Sequence, residues 1–179
     1  MSLTLRVLQR HLPAAARRAA LRALFATTAA AFGCPAPPLA GLDADALLRR
    51  YAQFTAEQAE AAIRAGRDLE ALQARLERGA RTLGARLRTG LRVRTTEEAM
   101  AGARLAYGLL DIDFQGTAEG GVTIPRCSFS TVYSPAVCRL VSALDAGLLA
   151  GLTAGARLTF SQRLTEGAPC CRARLQVRR

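Results

Sequence analysis

The apolar residues of this chain change their spacing near Tyr107, and that switch limits the fold more than any other feature. Up to about Met100 they recur at helical intervals, and beyond Tyr107 they alternate. Asp43 is placed to cap a helix carrying the stripe Leu47, Tyr51, Phe54, Ala62 and Ile63 and ending at Gly66. Asp68 is placed to cap another, in which Leu72, Leu76, Leu83, Leu87 and Leu91 share one face while Arg78, Arg81, Arg86, Arg88 and Arg92 share the other. Ahead of these, Pro13 suits the first turn of a helix that carries Leu21, Leu24 and Phe25 and ends at Gly33. Thr95-Thr96-Glu97-Glu98 starts a fourth helix, running into Met100, Leu105 and Tyr107.

Past the switch, Leu110, Ile112 and Phe114 alternate with Asp111, Asp113 and Gln115. A glycine-rich turn at 116–121 then leads into Val122-Thr123-Ile124 and the stretch from Cys127 to Tyr133, which together read as a hairpin. Ser134-Pro135 opens a helix bearing Val137, Val141, Leu144, Leu148 and Leu152. Leu158, Phe160 and Leu164 alternate with Arg157, Thr159, Ser161 and Arg163, and the turn at 165–169 returns the chain into Cys171, Ala173, Leu175 and Val177, with Cys170 facing the other way. The expected class is α+β: one domain over 1–179, helical over 1–100 and hairpin-helix-hairpin over 101–179, with helices covering an antiparallel sheet.

A chain of 179 residues that is half hydrophobic can build its own core without covalent staples. No apolar run approaches the ~18–20 residues of a bilayer span, so no membrane partner is expected. The net charge of +11 comes entirely from arginine, for there is no lysine. Asn and Trp are absent too, a composition typical of GC-rich bacterial coding sequence. With neither a helix-turn-helix nor an aromatic stacking motif, the arginines read as a solvated face, and no specific nucleic-acid partner is expected. Five cysteines without a C-x-x-C pair argue for reduced thiols and a cytoplasmic setting. Arg17-Arg18 before an apolar stretch and Cys34 resembles an export signal, but Arg22 interrupts that stretch and an ordinary helix is the expectation.

Three constellations carry chemistry. On the helix from Pro135, Cys138, Ser142 and Asp145 share a face, the arrangement a hydrolase would need with Cys138 as nucleophile and Asp145 assisting; equally, Cys138 is a small buried hydrophobe. Cys127, Cys138 and Cys171 would suit tetrahedral zinc if they converged; otherwise Cys171 continues the core face of its strand. Gly147 and Gly151, with Ala143, Ala146 and Ala150, leave one helix side nearly bare, which calls for close approach by a second backbone or by a ligand. In the ligand case the surrounding residues are Tyr107, Phe129, Tyr133, Ser142, Leu148 and Phe160.

Ser134-Pro135-Ala136-Val137-Cys138, the small-residue helix 143–152 and the ending Gly167-Ala168-Pro169-Cys170-Cys171-Arg172-Ala173 together resemble the 4-vinyl reductase domain over residues 100–177. That resemblance implies a homodimeric, small-molecule-binding domain, since related domains sense phenols or toluenes and others in the wider superfamily hold an acyl chain. In the phenol-sensing members a Glu and three Cys hold zinc. Cys171 matches the last of these and Cys138 lies near the first, whereas Arg163 and Phe160 stand where the middle Cys and the Glu would be. The ending is also similar to proteins named as thiazoline carboxylic acid hydrolases, which implies a small thiazoline or amide substrate. The leading expectation is a sensory or carrier domain enclosing an apolar or aromatic ligand.

Overall fold

The computed structural model describes residues 14–176. The proposed roles of Pro13 and Val177 fall outside that range. Four helices come first: α1 (Ala14–Phe32), α2 (Ala44–Arg64), α3 (Leu69–Leu91) and α4 (Thr96–Gly108). The caps form as the sequence predicts. Asp43 accepts from the Ala46 amide at 2.7 Å, Asp68 from the Ala71 amide at 2.9 Å, and Thr95 with Glu98 closes a reciprocal capping box. Gly66 takes a left-handed φ of 61° just beyond the end of α2.

The second half runs β1 (Ile112–Gly116), β2 (Gly121–Cys127), a 3₁₀ turn at Ser128–Thr131, α5 (Pro135–Val141), α6 (Ala143–Leu152), β3 (Arg157–Gln162), a 3₁₀ turn at Leu164–Glu166 and β4 (Cys171–Gln176). The two hairpins join through β2 and β4, giving an antiparallel sheet in the order β1-β2-β4-β3. In β4 the side chains of Cys171, Ala173 and Leu175 enter the core while Arg172, Arg174 and Gln176 face solvent. The fold class is therefore the α+β arrangement expected.

Four local expectations are corrected. The stretch after Cys127 is not strand: Ser128 donates to the Leu110 carbonyl and Ser130 to the Cys127 carbonyl, and these bonds tighten the chain into a 3₁₀ turn. Leu110 belongs to the turn after α4, with its amide bonded to the Tyr107 carbonyl, and not to β1. The helix from Pro135 breaks into two at Ser142, whose hydroxyl donates to the Arg139 carbonyl at 2.9 Å. Finally, Pro135–Leu152, with mean hydropathy 1.4, does match a membrane span by length and composition. Here the segment is interrupted at Ser142, carries Arg139 and Asp145, and has half of its residues buried.

One continuous apolar cluster runs from Leu21 and Phe25 through Leu47, Leu72 and Phe114 to Leu152 and Leu175. Fully burying each large side chain there contributes about 1.5–3 kcal/mol. The polar atoms within it are paired: Thr28 with the Tyr51 hydroxyl at 2.9 Å, and Thr55 with the Tyr133 hydroxyl. Two arginines close the C-terminal end of α1, Arg75 donating to the Ala31 carbonyl and Arg67 to the Phe32 carbonyl. On α3, Arg78, Arg81, Arg86 and Arg88 are exposed, as is Arg92 at its C-terminal cap, as the sequence predicts.

The bare side of α6 lies against α3. A Cβ on Gly147 would stand 2.2 Å from the Glu77 carbonyl oxygen, one on Gly151 2.2 Å from that of Arg81, and one on Gly84 2.2 Å from that of Leu148. The two backbones are in direct contact, so of the two roles open to these glycines the structure gives the helix crossing. It also explains why Gly84 is buried on α3 while Leu83 and Leu87 are only half-buried: α6 turns that face of α3 inward.

Candidate functional site

Between α6, the inner sheet face and the N-terminal helices lies a cavity of about 110 Å³. Of the eight expected ligand-binding residues, Tyr107, Phe129, Tyr133, Ser142, Leu148 and Phe160 border it. Gly147 and Gly151 do not; they face α3. Every part of the fold contributes a wall: Leu24 from α1, Tyr51 from α2, Leu83 from α3, Ile112 and Ile124 from the first hairpin. A guest here would meet mostly aliphatic and aromatic carbon.

Two polar pairs interrupt that lining, Tyr107 with Asp145 and Arg163 with Ser142. The Tyr107 hydroxyl donates to Asp145 Oδ1 at 2.8 Å. Tyr107 reaches this point because α4 ends just after it and its ring stacks on Phe114 of β1, with centroids 4.6 Å apart. Burial pushes the Asp145 carboxyl up to about 6, against the lowering effects of the Tyr107 bond and of Arg163. Burial likewise raises Tyr107, helped by the Asp145 charge, so the phenol stays a donor.

The three candidate thiols also border this cavity. Burial pushes Cys127 up to about 12 and raises Cys138 and Cys171, with the Asp145 charge adding to each. A nucleophilic thiol needs the opposite shift. The described residues bordering the cavity include no histidine to serve as its base. The cysteines do not make a metal centre either: no group of three or more His, Cys, Asp or Glu near enough to hold an ion occurs among the described residues. Cys171 Sγ instead accepts from the Leu164 amide at 3.3 Å. Cys170 is half-buried beside Gln162, 3.4 Å from its Nε2, and not the exposed thiol its alternation suggests.

Arg163 is the site residue whose orientation the sequence misplaces. Strict alternation along β3 puts it outside with Ser161, but the β3–β4 register shifts between Phe160 and Gln162. A one-residue slip reverses the face of every later side chain. The guanidinium consequently lies over the Phe160 ring, 4.5 Å from its centroid, and Arg163 Nη2 donates to Ser142 Oγ at 3.3 Å. Tyr51, Leu24, Leu83, Ile112 and Ile124, read from sequence only as core, are wall residues missed, because their periodicity is the same for both roles.

Comparison with protein-family models, with curated proteins and with solved structures finds no match to this chain.

Proposed function

We propose that this domain encloses a small apolar or aromatic molecule, as a sensor or carrier. The observation that carries the reading is the mostly apolar cavity with the polar pair Tyr107 and Asp145 built into its wall. Its volume of about 110 Å³ is near the ~150 Å³ known to admit a benzene-sized guest. The resemblance of residues 100–177 to 4-vinyl reductase domains points the same way, and the unpaired thiols fit a cytoplasmic setting.

Thermal and urea unfolding with a panel of small hydrophobic molecules tests the proposal. A guest at 100 times its Kd stabilises the fold by about 2.7 kcal/mol. Leu148→Trp, which fills the cavity from α6, abolishes that gain while the protein stays folded by circular dichroism. A panel in which no molecule stabilises the native protein overturns the reading. Native mass spectrometry of the purified protein reads retained guest, metal and subunit number in one measurement.

A further inference from the structure

Two spaces meet at one side of the site. The apolar cavity lies within, and a surface groove lies outside between α3, α6 and β3; Ser142, Phe160 and Arg163 border both. The groove is basic, with Arg81, Arg139 and Arg157 on its walls against one acid, Glu77. Two of those arginines are engaged: Arg81 with Glu77 at 2.7 Å and Arg139 with Glu166 at 2.7 Å. Arg163 has no ion-pair partner among the described residues.

The Arg163 Nε–H is moreover buried and has no hydrogen-bond partner among the described residues. An unpaired buried donor on a cation is costly, and such donors usually have an acceptor in the working state. Asp145 accepts from Tyr107 at Oδ1 and feels the Arg163 charge, but the two lie beyond ion-pair distance. The planar face of the guanidinium lies over Phe160 and one edge meets Ser142, which orients the fork beside the cavity.

We infer that the guest is a small monocarboxylic acid, its apolar body in the cavity and its carboxylate on the guanidinium of Arg163 at the cavity mouth. This rests on the proposed binding of an apolar guest and adds its head group. A carboxylate matches the planar fork in a way a neutral polar group does not. The cavity volume of about 110 Å³ limits the body to one ring or a short branched chain.

Calorimetry on the full-length protein at pH 7.5 tests this with phenylacetate, its neutral isostere phenylacetamide, phenyl phosphate and toluene. Phenylacetate binds about 10–100-fold more tightly than phenylacetamide. Arg163→Gln brings the ratio near one, Arg163→Lys gives an intermediate ratio, and Arg86→Gln on the far face of α3 leaves it unchanged. If the glutamine variant does not fold, the native and lysine ratios decide the matter. Equal binding of acid and amide by the native protein overturns the inference while toluene binding leaves the apolar-guest reading standing. Preference for phenyl phosphate overturns the carboxylate assignment, and failure of all four ligands overturns both readings.

Discussion

The hydroxyl of Tyr107 and the carboxylate of Asp145 are bonded at 2.8 Å inside a mostly apolar space, and the bond does not offset the loss of solvation around the acid. Burial wins because the interior lacks the dipoles by which water would stabilise the ion.

The first prediction concerns pH. The folded chain holds the Asp145 proton up to about pH 6, against 3.8 for the ordinary group, so it binds that proton more tightly than the unfolded chain does. The resulting stability is fully present below about pH 4 and is lost as pH rises through 6. Asp145→Asn stays neutral and escapes the loss. Urea unfolding should show the native protein losing roughly 2–3 kcal/mol relative to this variant between pH 4 and pH 8. The comparison cancels the other carboxylates; a flat difference would mean that Asp145 ionises at its ordinary pH.

The second prediction separates two kinds of helical glycine. Gly147→Ala and Gly84→Ala each put a methyl 2.2 Å from a carbonyl oxygen of the facing helix, so they should cost at least about 1–3 kcal/mol in chemical denaturation. Gly90→Ala, near the C-terminal end of the same helix α3, meets open space and should stabilise by roughly 0.5–1 kcal/mol. Equal effects at the three positions would show that the α3–α6 contact is looser than described.

The third prediction is chemical. Burial keeps the thiols of Cys127, Cys138 and Cys171 protonated near neutral pH. Iodoacetamide at pH 7.5 should therefore label these sites at least about 10-fold more slowly in the folded protein than in urea, read by peptide mass spectrometry. Rapid labelling of Cys138 in the native state would restore a nucleophilic role for it.

The sequence reads correctly wherever local chemistry decides. Asp43, Asp68 and the Thr95/Glu98 box start helices because each satisfies an amide within its own turn, and β4 alternates because one face of its strand is buried. It misleads where a distant partner decides. The α3 leucines define a face by themselves, yet contact with α6 moves the buried line to Ala80 and Gly84. Arg163 turns inward through a pairing irregularity that its own neighbours do not encode. Six of the cavity residues were legible from the sequence, while the pairing of Tyr107 with Asp145, 38 positions apart, required the fold.

The glycine contact also sets how a molecule could enter and leave. A wall clamped main chain to main chain cannot swing aside without parting two helices, an excursion on the microsecond-to-millisecond scale. Phe160 and Arg163, which also border the cavity, are held by the guanidinium lying over the ring and one bond to Ser142, which rotamer changes alone can release. Dwell time in the chamber would then follow the turning of two side chains, leaving the outline of the domain the same whether loaded or empty.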